Sequence, residues 1–247
     1  MTRLSVNVNK IALLRNSRTV GIPSVLRAAE LCVAAGAHGI TVHPRPDQRH
    51  IRPSDANDLR DYLRDFPNVE FNIEGNPFPE FMALVLELEP TQATLVPDDP
   101  SAATSDHGWD LEKDAKRLAS LIRTLNECGI RVSLFMDVLS DQWARAREIG
   151  AARVELYTQP YAEAFARGSA TAALAECAAA ARSAQSAGLG VNAGHDLNLQ
   201  NLPDFCAIPG ILEVSIGHAL VSDALEVGLP AAVRAYLDVL RKHSKSA

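Results

Sequence analysis

His43 and His50 enclose two arginines in the run Gly39-Ile40-Thr41-Val42-His43-Pro44-Arg45-Pro46-Asp47-Gln48-Arg49-His50. An imidazole exchanges protons near neutral pH, and a guanidinium grips a phosphate through two parallel hydrogen bonds. Pro44 and Pro46 exclude a helix here and stiffen the loop, which keeps the cationic groups apart. Acid–base capacity beside anion capture points to a site for a phosphorylated small molecule. Taken alone, the same run also reads as a polar surface loop.

The elements that must position these groups follow one grammar: an amphipathic helix, a glycine, a short β-rich run, then a polar residue. It recurs at Ala35-Gly36 to His43, Cys128-Gly129 to Phe135, Ile149-Gly150 to Leu156 and Ala187-Gly188 to His195. Glycine just past a helix end is the usual left-handed cap, and the β-branched run after it reads as a buried strand. The pattern predicts eight strands near 4–8, 39–42, 69–72, 92–96, 131–135, 153–156, 190–193 and 212–216. Between them, Leu111, Ala115, Leu118, Ile122 and Leu125 form a single helical stripe, 168–187 is alanine-rich, and a last helix spans about 229–242. Strand alternating with helix eight times over 247 residues predicts one (β/α)₈ TIM barrel domain over 1–247, with a doubly wound sheet as the alternative. Ile11 to Asn16 is expected to form a short helix over the mouth. Residues 97–109 read as a long loop and candidate lid, and 157–167 as another long loop.

Such barrels carry their active sites at the C-terminal ends of the strands. Those ends supply Asn7, Asn9, His43, Glu70, Asn72, Glu155, Asn192, His195, Gly217 and His218. Four of the seven histidines (His43, His50, His195, His218) therefore fall at or beyond a strand end. Each taken singly also reads as a core residue satisfied by backbone. Glu70 and Glu155 lie in strands expected to be buried, where an unpaired carboxylate is costly, so each needs a cation, a raised pKa or a substrate proton. Phosphate sites on this fold commonly use the loops after strands seven and eight, here Ala193-Gly194-His195-Asp196 and Ile216-Gly217-His218-Ala219. Arg18, Arg45 and His50 are available for a second anion.

The totals limit the partners. A net charge of −6 and a pI near 5.6 argue against nucleic acid or an anionic membrane as the main partner. Hydrophobic residues at 47% suffice for a packed core. No apolar run approaches a membrane span or a signal-peptide core, and Cys32, Cys128, Cys177 and Cys206 show neither metal nor disulfide spacing. The expectation is a soluble cytoplasmic protein with reduced, buried thiols. Of the five lysines, only Lys10 is placed to reach the mouth, which disfavours an enzyme-bound Schiff base. Strand one has no His-x-His and the rim no dense carboxylate cluster, which disfavours a metal. The absence of Gly-x-Gly-x-x-Gly and Walker sequences leaves nucleotide cofactors without support.

The chain resembles the pyridoxine 5′-phosphate synthase family from end to end. The resemblance is carried by Val6-Asn7-Val8-Asn9-Lys10 to Arg18, Gly39 to His50, Asn68-Val69-Glu70, Leu95-Val96-Pro97, Val132 to Phe135, Val191-Asn192-Ala193-Gly194-His195 and Ile216-Gly217-His218-Ala219. It implies a (β/α)₈ barrel that joins 1-deoxy-D-xylulose 5-phosphate to 3-amino-2-oxopropyl phosphate, without metal or organic cofactor, in a homo-octamer built as a tetramer of dimers. It implies His43 and Glu70 as proton acceptors, His195 as proton donor and Glu155 as stabiliser of a charged transition state. It gives Asn7, Arg18, Gly217 and His218 to the aminoketone phosphate, and Arg45, His50 and Thr104 to the deoxyxylulose phosphate. Two departures stand out. Many members have Asp-His where this chain has Asn9-Lys10, so an acid–base role is lost there while a binding contact is retained. Many have Gly where this chain has Asp196, which leaves a phosphate contact to the backbone N–H. The segment from Asn72 to Pro79 is slightly long. A different phosphosugar isomerase, epimerase or aldolase on the same barrel, or a non-catalytic phosphometabolite-binding protein, are the rival readings.

Overall fold

The computed structural model describes residues 1–99 and 105–244. Eight strands alternate with helices: β1 (Arg3–Asn7), β2 (Gly39–Val42), β3 (Glu70–Gly75), β4 (Gln92–Leu95), β5 (Arg131–Met136), β6 (Arg153–Tyr157), β7 (Gly190–Gly194) and β8 (Ile211–Ile216). All pair in parallel and in sequence order, and β8 closes on β1, as the eightfold alternation predicts. The doubly wound alternative is thereby excluded.

Around the barrel lie α1 (Asn9–Asn16), α2 (Val25–Ala34), α3 (Pro53–Leu63), α4 (Pro79–Leu88), α5 (Leu111–Glu127), α6 (Trp143–Glu148), α7 (Gln159–Ala166), α8 (Ala170–Ser186), α9 (Leu202–Phe205), α10 (His218–Val227) and α11 (Leu229–His243). The stripe read from the sequence is the buried face of α5: Leu111, Ala115, Leu118, Ile122 and Leu125. Residues 157–167 are not a plain loop, because they hold α7. The thiols are free; Cys32, Cys177 and Cys206 are buried, while Cys128 is exposed. No helix among the described residues is long and apolar enough to cross a membrane.

Every strand is buried, yet its two faces differ in chemistry. Leu4, Val6, Ile40, Val42, Ile73, Leu95, Val132, Leu134, Val154, Leu156, Val191 and Val214 join the apolar layer beneath the helices. Many of the alternate residues bond to one another across the barrel interior, which is polar where bulky branched side chains are the rule. Ser5 and Thr41 share a hydrogen bond of 2.7 Å, Asn72 Nδ2 donates to Thr41 Oγ1 at 3.3 Å, and Gln92 Nε2 and Thr94 Oγ1 donate to Asn72 Oδ1 at 3.2 and 3.0 Å. At the N-terminal end, Glu70 pairs with Arg3 at 2.7 Å and with Arg131, while Arg153 Nη1 donates to Asn192 Oδ1 at 3.2 Å. Buried polar groups are tolerated when paired, and in this network adjoining strands supply the partners.

One strand boundary differs from expectation with consequence for the site. β3 runs to Gly75 rather than Asn72, because the alternation Glu70-Phe71-Asn72-Ile73-Glu74 continues for one more period. The long segment from Asn72 to Pro79 is thus the end of this strand and the entry to α4, held by Asn76 Nδ2 donating to the Asp98 carbonyl at 3.0 Å.

Candidate active site

The C-terminal mouth of the barrel holds a cavity of about 310 Å³. Asn7, Asn9 and Lys10 line it from β1 and α1, and His43, Arg45, Arg49 and His50 from the loop after β2. Glu74 and Glu155 project from β3 and β6 and His195 from just past β7, and Asp196, Gly217 and His218 complete the opposite rim.

Local sequence explains this placement. The β2 loop turns at Gln48, whose φ is 52° and whose N–H donates to the Arg45 carbonyl at 2.9 Å. Asn16 Nδ2 donates to the His50 carbonyl at 2.8 Å, and Arg15 Nη2 to the same oxygen at 3.1 Å. Arg15 is in turn held by the buried carboxylate of Asp55, with Nη2 to Oδ2 at 2.9 Å. The short helix over the mouth is therefore a brace for the loop that carries His43 and His50. Asn9 braces the same loop from its other end. Its Oδ1 accepts the His43 N–H at 2.9 Å, and Asn7 Oδ1 accepts the Asn9 N–H at 3.0 Å. Lys10 beside it is exposed on the rim.

His43 Nδ1 lies 3.9 Å from Glu74 Oε2, and His43 Nε2 lies 4.0 Å from Asp98 Oδ2. Burial, with Arg45, His50 and His195 nearby, drives the His43 pKa well below its usual range. Burial and the neighbouring Glu155, Glu213 and Asp98 drive that of Glu74 well above. Both shifts favour the neutral forms, a carboxyl that keeps its proton and an imidazole that is open to accept one. Burial lifts Glu155 to about 8, with Glu213 adding to the effect, so it is a protonated donor at pH 7. Its Oε2 meets no hydrogen-bond partner among the described residues, and Gly194 makes room for it, since a Cβ there would stand 2.3 Å from Oε1. His195 is packed against Phe135 and Tyr157 at ring-centroid distances of 4.9 and 5.3 Å, and burial pushes it down to about 4. His50 is lowered to about 4 by burial and by Arg45, Arg49 and Lys10.

Two edges of the cavity suit anions. On one, Gly217 caps α10, directing the first N–H groups of a ten-residue helix toward the site beside His218. On the other stand Lys10, Arg45, Arg49 and His50. Arg45 Nη2 contacts Asp98 Oδ2 at 2.5 Å, and Ser105 Oγ donates to the same oxygen at 2.7 Å.

Most residues singled out from the sequence converge here: His43, His195, Glu155, Asn7, Asn9, Lys10, Arg45, His50, Asp196, Gly217 and His218. Glu70 does not. It sits at the first residue of β3, at the opposite end of the barrel, bound by Arg3 and Arg131. Arg18 is exposed in the turn after α1 and does not line the cavity. Asn72 and Asn192 lie in the interior network below it. Thr104 lies outside the described residues, as do 100–103 of the expected lid. Glu74 and Asp98 were missed. The period-two alternation that continues past Asn72 is the signal for the first, whereas Asp98 in Val96-Pro97-Asp98-Asp99 carries no such signal.

Among the described residues, no group of three or more His, Cys, Asp or Glu side chains is arranged to hold a metal ion.

Comparison with known proteins bears on this arrangement. Residues 4–242 match the family model described as pyridoxal phosphate biosynthesis protein PdxJ. A pyridoxine 5′-phosphate synthase from Xanthomonas axonopodis pv. citri is 57% identical over 254 residues, covering 100% of this chain and 99% of the relative. One from Albidiferax ferrireducens is 55% identical over 242 residues, 96% of each chain. Among solved structures, phosphoribosyl anthranilate isomerase from Thermus thermophilus superposes with a TM-score of 0.60 at 17% identity, over 98% of this chain and 99% of that one. 3-Keto-L-gulonate-6-phosphate decarboxylase from Vibrio cholerae gives 0.65 at 10%, over 98% of each. At such identities these two speak for the barrel alone.

Proposed function

The chain belongs to the family of pyridoxal phosphate biosynthesis proteins PdxJ, and from that premise we propose that the mouth cavity joins 1-deoxy-D-xylulose 5-phosphate to 3-amino-2-oxopropyl phosphate. It is an enzyme of vitamin B6 biosynthesis, forming pyridoxine 5′-phosphate with release of phosphate and water. The observation that carries the assignment of residues is the convergence of His43, Glu74, Glu155 and His195 on one cavity between two anion-binding edges.

The substrate amine attacks the ketone directly, so the protein needs no lysine nucleophile and supplies proton transfer instead. Glu74 takes the place of the catalytic carboxyl that the resemblance gave to Glu70, because it is the β3 carboxyl at the mouth, and it acts as the partner of His43 rather than as a proton acceptor. Neutral His43 accepts a proton from the reacting amine or carbon. Protonated Glu155 donates to oxygen as negative charge develops, and His195 returns a proton to a leaving hydroxyl or phosphate. Arrival of two phosphates raises the proton affinity of His195 and His50, offsetting the burial that lowers it. The aminoketone phosphate is assigned to Asn7, Gly217 and His218, with the Asp196 N–H nearby. The deoxyxylulose phosphate is assigned to Arg45 and His50, with Lys10 adding charge on the rim.

We assign the chain to one barrel domain acting in the cytoplasm as a homo-octamer. Self-association is supported by Leu13 and Leu14 of α1, Val20 and Ile22 of the next turn, and Leu225 and Val227 of α10, all exposed. Helices α1 and α10 pack together, and adjoining exposed apolar side chains are characteristic of interfaces. Light scattering on the purified protein is expected to give the octamer mass.

The test of the activity is incubation with both substrates, with and without EDTA. Pyridoxine 5′-phosphate is expected in both samples. No product in either overturns the reading, and product only without EDTA replaces it with a metal-dependent one.

A further inference from the structure

Thr158 occupies the N-cap of α7, where a threonine hydroxyl ordinarily accepts a backbone N–H of the first turn. Here the hydroxyl caps nothing in its own helix. Its Oγ1 lies instead 2.6 Å from the Gly194 carbonyl and 2.5 Å from the His195 carbonyl. Its own N–H donates to Gly194 O at 3.0 Å. The next carbonyl, that of Asp196, accepts from Asn201 Nδ2 at 3.1 Å, and Tyr161 fixes Asn201 by donating to its carbonyl at 2.7 Å. Thr158 and Asn201 are fully buried.

The segment they hold is strained. His195 and Asp196 both take positive φ, 84° and 58°, in succession and without a glycine. Each such residue costs about 1–2 kcal/mol and persists only where its surroundings impose it. Three consecutive carbonyls drawn to two buried side chains are that imposition, and the imidazole they aim is lodged between Phe135 and Tyr157.

We propose that Thr158 is a positioning residue for His195, its hydroxyl holding the left-handed backbone that directs the imidazole into the cavity. The inference rests on His195 being the proton donor assigned above.

The experiment compares Thr158→Val, which keeps the shape and removes the donor, with Thr158→Ser, which keeps the donor, and with His195→Asn. A sub-ångström to 1 Å displacement of a catalytic group costs up to about 100-fold in rate, so Thr158→Val is expected to lower kcat by about 10- to 100-fold. KM for either substrate should move less than about threefold, and the limb of the kcat–pH profile that His195→Asn abolishes should shift. Thr158→Ser should recover kcat to within about threefold of the parent. Unchanged kcat in Thr158→Val, with His195→Asn inactive, overturns the proposal and leaves the role of His195 standing. Equal losses in the Val and Ser variants also overturn it, since packing and not the hydroxyl is then at work. Near-normal turnover of His195→Asn removes the reading beneath it, and the proposal with it. If Thr158→Val does not fold, Thr158→Ala against Thr158→Ser makes the same comparison.

Discussion

Glu74 Oε2 stands 3.9 Å from His43 Nδ1, across the C-terminal ends of the neighbouring strands β3 and β2. Glu70, on the same face of β3, is four residues away, about 13 Å along the strand, at the other end of the barrel. The two carboxylates therefore do different work. Glu74→Gln is expected to lower turnover by at least about 100-fold in a folded protein. Glu70→Gln is expected to leave turnover within a few-fold while lowering stability by about 3 kcal/mol, because Arg131, Arg153 and Arg3 lose their shared counter-charge. Initial rates and urea unfolding on both variants check the pair of outcomes.

The Arg15–Asp55 bridge ties α1 to the first turn of α3, where the loop of His43 and His50 ends, and its two side chains are only 8% and 9% exposed. Removing one partner leaves the other buried and uncompensated. Asp55→Asn is expected to cost about 3 kcal/mol in unfolding free energy. It should also raise KM for the deoxyxylulose phosphate, since the loop that presents Arg45 and His50 loses its brace. Denaturant melts and a substrate titration read the two effects.

Arg45 is held by Asp98 at 2.5 Å, so a phosphate that takes this guanidinium competes with a carboxylate. Asp98→Asn is expected to tighten binding of inorganic phosphate by about three- to tenfold, and Arg45→Ala to weaken it by at least as much. Isothermal titration on the two variants checks both directions; weaker binding by Asp98→Asn would contradict the competition.

Glu213 is buried in the barrel interior, where burial and Glu70 raise its pKa from 4.5 to about 7. A raised carboxyl pKa means the folded state holds its proton longer than the unfolded state. That share of stability is complete below pH 4.5 and is lost as pH rises through about 7. The gap between the two values corresponds to ~3 kcal/mol. Glu213→Gln, which has no proton to lose and keeps an acceptor for Asn192 Nδ2, is expected to flatten the fall in melting temperature between pH 5 and pH 8. Melting curves across that range test it; an unchanged slope would show that Glu213 carries its charge at no cost.

The sequence by itself determined the barrel, because each strand and helix announces itself locally. A glycine cap followed by a β-branched run, and apolar residues at intervals of three and four, set element type wherever the neighbours are. It also determined most of the rim, since the residues just past a strand end face the mouth in any closed parallel barrel. What only the tertiary structure decided is where along its strand each inward residue falls, and with whom it bonds. Asn9 reads as a substrate contact and its side chain holds the His43 N–H; Thr158, in a stretch that reads as a loop, holds the His195 carbonyl. Glu70 and Glu74 are of one type on one face, and the continuation of β3 past Asn72 separates a carboxylate anchored by arginines from one beside His43. Those outcomes depend on register and on partners far apart in the chain, such as Thr158 and His195, separated by 37 positions. Local propensity is blind to such contacts, because they exist only once the barrel has closed.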